Sequence, residues 1–158
     1  MSHEINAQKT FMIHNQYTKD LSFENPRIPG TFAIDSEPTF NISIDINTAK
    51  IEGDVYEVVL SCTISAKNED VIMFHISLDY GGMFTINTDG DEGELERLLL
   101  VQCPSILFPF ARRIIANASV DGGYPPVSLE PVDFYSLYLQ KQQLNSNGLN
   151  GGNNHTNH

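Results

Sequence analysis

The sequence predicts an α+β domain in which a four-stranded antiparallel sheet is followed by helices. In the first half of the chain, apolar and polar residues alternate as they do in a strand with one buried face, most clearly at residues 40–47. From Asp91 onward the apolar residues recur at helical spacing instead. Strands first and helices last indicate an α+β domain, because a parallel sheet would need helices between its strands.

Three further strands are expected after residues 40–47. The inward positions of residues 54–66 are Tyr56, Val58, Leu60, Cys62 and Ile64, and those of residues 71–80 are Ile72, Phe74, Ile76, Leu78 and Tyr80. The polar residues 67–70 read as a turn, so these two strands should form a hairpin. Gly81-Gly82 is expected to end the second of them, and residues 83–86 to form a short last strand. Because strands that follow one another in sequence usually lie next to each other in a sheet, these four strands predict an antiparallel meander.

Two helices are expected next. A short helix should begin at Asp91, because Asp91 and Glu94 have the spacing of a capping box. A second should begin near Pro104 or Pro109 and end at residues 121–123. Its expected apolar face consists of Phe110, Ala111, Ile114, Ile115 and Ala118.

The run 103–112 opens this second helix and is densely apolar, without a catalytic group. We therefore expect it to pack within the fold or to bind a partner, and not to react. After it, Asp133 is expected to cap a final helix whose apolar side carries Phe134, Leu137 and Tyr138.

Length and charge restrict the class of protein. The 158 residues fit one domain, and 41% hydrophobic residues suffice for a core. The net charge of -11 repels phosphate backbones, so nucleic-acid binding is not expected and basic partners are favoured. The first residues lack the pattern of a secretory signal, and no stretch is predicted to insert into a membrane. Two cysteines without metal-like spacing fit a reducing cytoplasm.

The chain divides into three parts. Residues 1–9 are expected to be flexible, and residues 10–143 to form the folded domain. Residues 144–158 contain six Asn, three Gly and no charged side chain, which predicts a disordered polar tail.

Neither a metal site nor a catalytic centre is predicted. The five histidines are scattered, and no nucleophile elbow or Gly-rich phosphate loop is present. Cys62 falls on the inward side of its strand and Cys103 has apolar neighbours, so both are expected to be structural. We therefore expect no cofactor and no enzyme activity.

Five segments together resemble the SecB family of bacterial protein-export chaperones. They are YTKDLSFENP at 17–26, DVYEVVL at 54–60, GGMF at 81–84, CPSILFPFAR at 103–112 and PPVSLEPVDF at 125–134. The resemblance covers roughly residues 11–143 in the family's order. It implies a SecB-like fold in a cytoplasmic homotetramer, a dimer of dimers. Such a protein holds precursor proteins unfolded without using ATP and passes them to the motor ATPase SecA.

The resemblance also implies a client groove lined by apolar residues of one strand, of the loop before it and of nearby helices. In this sequence these are Phe32, Phe40, Ile42 and Ile44. Ordinary core packing explains the same alternating residues about equally well. The negative charge would attract basic unfolded clients.

For the motor, the resemblance implies an acidic sheet surface, which Asp20 and Glu24 match directly. His75 and Ser77 stand where well-known members carry leucine and glutamate, so this surface is less acidic here. The tail also lacks the acidic residues often found in the family. By the same resemblance, Ile76, Leu78 and Tyr80 occupy positions that influence tetramer assembly.

Two other functions stay open. A SecB-like chaperone dedicated to one partner, such as an antitoxin, would use the same groove, and a partner-specific tail or insertion would distinguish it. A small-molecule enzyme on an antiparallel α+β fold could use Asp20, Glu24 or His75, and would need a pocket with paired polar groups.

Overall fold

The computed structural model describes residues 9–30 and 37–150. Its four strands are β1 (Thr10–Glu24), β2 (Thr39–Glu52), β3 (Val55–Asn68) and β4 (Val71–Asn87). They form one antiparallel sheet in the order β1-β4-β3-β2, which leaves β1 and β2 at its edges. The helices α1 (Glu92–Arg97), α2 (Cys103–Asp121) and α3 (Phe134–Asn150) follow the strands. The α+β class and the four-stranded antiparallel sheet are confirmed.

The short last strand expected at residues 83–86 is part of β4 and not a separate strand. Gly81-Gly82 does not end β4, which continues through both glycines to Asn87. An added Cβ at Gly81 would lie 3.1 Å from the Tyr17 ring, and one at Gly82 would lie 3.0 Å from Leu107 Cδ2. These glycines therefore serve close approach within a strand. The fourth strand of the sheet is β1. It pairs with β4 and not with β2, its neighbour in sequence, so the sheet is not a simple meander.

The alternation predicted the buried face of the central strands correctly with one exception. Leu60, Ile64 and Leu78 are completely buried. Ile72, predicted to point inward, is 44% exposed, whereas its neighbour Met73 is buried. The cause is an irregularity in the β3–β4 register between Ala66 and Lys67, which reverses the parity of the residues beyond it.

The two expected helices form one continuous helix, because a π-helical turn (Leu98–Gln102) joins α1 to α2. The predicted cap at its start is confirmed: the Glu94 backbone N–H donates to Asp91 Oδ1 over 3.1 Å. Pro104 lies in the first turn of α2 and Pro109 inside it, so neither begins a separate helix. The predicted end is confirmed, since Gly122 is the C-cap.

By length and composition the 30-residue helix 92–121 is long and apolar enough to cross a membrane, whereas the sequence analysis expected no such stretch. One face of this helix packs on the sheet. Cys103, Leu107, Ala111 and Ile115 are completely buried. Together with the inward residues of β3 and β4 they form the core.

Helix α3 begins after Asp133, whose carboxylate accepts from the Ser136 backbone N–H at 3.1 Å and its hydroxyl at 2.8 Å. Phe134 and Tyr138 are buried as predicted, but Leu137 is 41% exposed. The helix continues past Leu144, where the polar tail is predicted to begin, as far as Asn150. Residues 151–158 lie outside the described part.

Candidate functional site

An apolar groove runs along the inner face of the edge strand β2. It has a volume of about 590 Å³ and lies between Ile42 and Ile44 on one side and the segment 128–137 on the other. The apolar residues of that second side are Leu129, Pro131, Val132 and Leu137. We call this feature the β2 groove.

The β2 side of the groove is open, because none of the helices among the described residues covers that edge strand. Phe40 is 42% exposed and Ile42 is 49% exposed. Ile44 is partly buried and packs against the core. Phe40 still contacts the core, with its ring centroid 6.4 Å from that of Phe74. Three of the four predicted client residues thus lie on one face of one strand, and Phe32 lies outside the described residues.

The opposite side of the groove is held in place by hydrogen bonds to the end of α2. Ser119 is completely buried, and its hydroxyl accepts from the Val127 backbone N–H at 2.9 Å. The Tyr124 hydroxyl donates to Asn25 Oδ1 over 2.7 Å, which ties the segment to the end of β1. Val127 and Leu129 are buried behind it. The groove is therefore a fixed feature of the fold, built from regions far apart in sequence.

The groove carries negative charge. Glu130 and Asp133 belong to its lining, and none of the described lining residues is a lysine or an arginine. The hydrogen bonds from Ser136 hold the pKa of Asp133 below its usual value, so its carboxylate stays ionised at neutral pH. Cationic residues of a ligand would be favoured here.

The second candidate surface is the sheet face turned away from the helices, which we call the open face. Glu24 lies opposite His75 and Ser22 opposite Ser77, so the register places all four predicted motor-binding residues on this face. His75 Nδ1 is 2.7 Å from the Ser65 hydroxyl of β3. Asp20 lies opposite Asp79, a carboxylate that the sequence analysis did not assign. The register of β1 and β4, which was not predicted, is what brings Asp79 into the group.

Next to these residues the open face contains a polar cluster. The Tyr17 hydroxyl donates to Glu57, and Lys19 Nζ lies 2.7 Å from Glu57 Oε1. The hydrogen bonds from Lys19 and Tyr17 lower the pKa of Glu57, while burial and the hydrogen bond to Glu57 raise the pKa of Tyr17 to about 12. The negative charge of Glu57 is thus paired with Lys19 of the same chain. Asp20 and Glu24 form no ion pair in the described region.

The three residues predicted to influence assembly are buried in the core of the subunit. Ile76 and Leu78 are completely buried, and Tyr80 is 7% exposed with its ring stacked on Phe110. Their side chains face the helices, so an effect on assembly would act through the packing of β4 and α2.

The two thiols are buried, and the residues of the enzyme alternative lie on the open face. Burial raises the pKa of Cys62 to about 11 and that of Cys103 to about 12. Both thiols are buried, which was predicted for Cys62, whereas Cys103 was expected only to be structural. Within residues 9–30 and 37–150, no group of three or more His, Cys, Asp or Glu side chains could hold a metal ion. Asp20, Glu24 and His75, the residues of the enzyme alternative, lie on the open sheet face.

Known proteins resemble this chain over most of its length. The family model described as preprotein translocase subunit SecB matches residues 4–145. A protein-export protein SecB from Zymomonas mobilis is 43% identical, over 81% of this chain and 77% of the relative. One from Rickettsia akari is 41% identical, over 89% of this chain and 93% of the relative.

A solved structure shares the fold. It is a SecB-like chaperone from Mycobacterium tuberculosis in complex with an antitoxin peptide, with a TM-score of 0.65, 16% identity, and coverage of 77% of this chain and 90% of that one. At this identity the likeness supports the fold alone, whereas the relatives above are export proteins. The chain therefore belongs to the SecB family and has a chaperone role in protein export.

Proposed function

We propose that this protein is an ATP-independent holdase of the cytoplasm, which binds unfolded precursor proteins in the β2 groove and delivers them to the SecA motor. The exposed apolar stripe of β2 beside the groove carries this proposal. Fully burying one large apolar side chain contributes about 1.5–3 kcal/mol, and ordering the client opposes binding. Several such contacts are therefore needed, and Phe40 and Ile42 offer half-exposed surfaces for them.

The client step is tested with an unfolded preprotein and its folded form, each mixed with the purified protein. We expect a complex with the unfolded form alone, measured by calorimetry. Equal affinity for both forms would contradict the holdase function. An assay of the same mixtures without nucleotide tests the independence from ATP.

We propose that the open face binds SecA through Asp20 and Glu24, with His75 and Ser77 beside them. These acids are exposed and directed away from the β2 groove, which supports a motor bound at the same time as a client. Exposed carboxylates without an ion pair keep their charge available to a basic partner surface.

The motor contact is tested with the double variant Asp20→Ala, Glu24→Ala. It should weaken SecA binding and leave client binding unchanged. The matched control is Glu92→Ala, Glu96→Ala, which removes the same charge from exposed positions on α1. Equal loss of SecA binding in both variants would indicate a general charge effect and refute the assignment.

We also propose assembly as a homotetramer, a dimer of dimers. Apolar side chains at the β1 edge and on α2 support a self-contact: Phe11 is 37% exposed, Ile13 40% and Phe110 40%. Symmetric assembly commonly covers such surfaces. Light scattering should give four times the chain mass of 17.6 kDa. Phe110→Lys should reduce that mass, whereas Met12→Lys, on the other face of β1, should not; a monomeric wild-type protein would contradict the proposal.

A further inference from the structure

A further cavity lies on the open face, on the side of the sheet away from the β2 groove. Its volume is about 210 Å³, and all four strands contribute residues to its lining. Sites for small molecules usually measure about 300–1,000 Å³. The cavity is therefore of a size for one side chain of a partner and not for a ligand or a peptide segment. We call it the open-face cavity.

The open-face cavity exists because short side chains meet at the middle of the sheet. Val59 of β3 lies between Asn47 of β2 and Gly81 of β4 in the register. Gly81 has no side chain, and Val59 is only 7% exposed. Ala49, two residues after Asn47, points to the same face. Ala49 and Val59 thus form an apolar floor, and longer polar side chains surround it.

The surrounding side chains leave one carboxylate without a cation. Lys19 and Glu57 form an ion pair, with Lys19 Nζ 2.7 Å from Glu57 Oε1. Asp79 forms no ion pair within the described residues. The Asn47 amide donates to Ser61 Oγ over 3.3 Å, which leaves the Asn47 side-chain oxygen to accept another hydrogen bond. The cavity therefore offers acceptors on two sides of an apolar floor.

A long cationic side chain matches this arrangement. Its methylene groups can lie on Ala49 and Val59 while its charged end reaches Asp79. Arginine fits better than lysine, because a guanidinium presents five donors in a planar fork, toward Asp79 on one side and Asn47 on the other. An anionic group would meet the carboxylates of Asp79 and Glu57 and is disfavoured.

We propose that the open-face cavity receives one arginine side chain of the motor. This inference rests on the proposed binding of SecA to the open face. The arginine is the anchor of that contact, because a side chain enclosed in a cavity is shielded from water, whereas ion pairs with exposed carboxylates contribute little each. Asp20 and Glu24 attract the basic surface of the motor, and Asp79, opposite Asp20 in the register, fixes its position.

The first test compares two isosteric substitutions in one row of the sheet. Asp45 and Asp79 lie on either side of Ser61 in the register, but only Asp79 lines the cavity. Asp79→Asn should weaken SecA binding about tenfold, whereas Asp45→Asn should stay within about twofold of wild type. Equal effects of the two substitutions would indicate a general effect of charge and overturn the proposal.

The second test fills the cavity without changing its charge. Ala49→Leu places a larger side chain on the floor, and Ser43→Leu places the same side chain on the same face of β2 outside the lining. Ala49→Leu should weaken SecA binding about tenfold and Ser43→Leu by less than about twofold. Unchanged SecA binding by Ala49→Leu would overturn the proposal.

The third test identifies the arginine. SecA is treated with phenylglyoxal, which modifies accessible arginines, in the presence of saturating wild-type protein or of Asp79→Asn, and the modified residues are located by mass spectrometry. One arginine of SecA should be protected by the wild-type protein and not by the variant. Protection of no arginine, or the same protection by both proteins, would overturn the proposal.

Failure of the motor contact itself has a different signature. SecA that does not bind the wild-type protein, or that binds the variant Asp20→Ala, Glu24→Ala equally well, would refute the proposed contact with the open face. SecA binding that depends on Asp20 and Glu24 but not on Asp79 would retain the contact and overturn only the arginine site.

Discussion

The inner face of the sheet consists of two regions with the same sequence pattern and different surroundings. In β3 and β4 the inward residues lie under α2, and Leu60, Ile64 and Leu78 have no exposed surface. In β2 the inward side chains of Phe40 and Ile42 have nearly half of their surface exposed. Alternation determines which face is apolar, but the position of the helices determines whether that face becomes core or binding surface.

The largest loss of stability is expected from a substitution in the region that α2 covers. Leu107 is completely buried between α2 and the sheet, so Leu107→Ala should lower the free energy of unfolding by about 2–5 kcal/mol. Urea denaturation measures this. Leu144→Ala is the control, because Leu144 is 71% exposed on α3. A loss below about 1 kcal/mol for Leu107→Ala would mean that α2 does not pack as described.

A somewhat smaller loss is expected where α2 ends against β1. A Cβ at Gly122 would lie 2.2 Å from Phe23 Cζ, and the Phe23 ring is stacked on Phe74. Gly122→Ala should therefore destabilise the protein by about 1–3 kcal/mol through overpacking. The control is Gly93→Ala, since its nearest neighbour would be 3.6 Å away. Thermal melting compares the two, and equal melting temperatures would contradict the contact.

The open region should behave in the opposite way. Ile42→Ala should change the free energy of unfolding by less than about 1 kcal/mol, because the side chain is already 49% exposed. It should weaken client binding by about 1–2 kcal/mol, or roughly tenfold. Ile51→Ala removes the same atoms from a residue of β2 that is 54% exposed and outside the groove lining. Calorimetry with an unfolded client should separate the two variants, and identical affinities would remove Ile42 from the client site.

The smallest effect is expected on the open face, where stability depends on exposed polar contacts. Lys19→Met removes the lysine that, with Tyr17, lowers the pKa of Glu57. A carboxylate with a lowered pKa stabilises the fold above its unfolded pKa, and this contribution is lost as the pH falls through the folded value. The variant should therefore be less stable by under about 1 kcal/mol at pH 7 and equal to wild type in strong acid.

Urea denaturation at both pH values measures this difference. Lys50→Met is the control, since Lys50 forms no ion pair within the described residues. A difference that persisted in strong acid would show that the Lys19 side chain acts through packing instead of through its charge.

The sequence predicted the central strands well because each has one face fully covered, which enforces alternation. It missed β1, whose two register interruptions break the period, and it placed Ile72 inward because the irregularity after Ala66 cannot be read from side-chain pattern. Pro109 suggested a helix start, but the helix tolerates it in its interior.

The binding surfaces were less predictable than the fold. The alternation in β2 placed Phe40, Ile42 and Ile44 on one face, but their exposure depends on which elements cover that face. Leu129, Val132 and Leu137 form the far side of the groove through tertiary contacts that no local period reports. The group around Asp20 came from family resemblance, and only the β1–β4 register adds Asp79 to it.

The adjacent glycines of β4 allow side chains to approach the strand closely from both faces of the sheet. Tyr17 approaches Gly81 from the open face, and Leu107 approaches Gly82 from the helix side. At this point β4 contributes only main-chain atoms between Tyr17 and Leu107. A side chain added at either glycine would collide with Tyr17 or Leu107, so the sequence Gly81-Gly82 sets how closely β1 side chains and α2 approach β4 from its two faces.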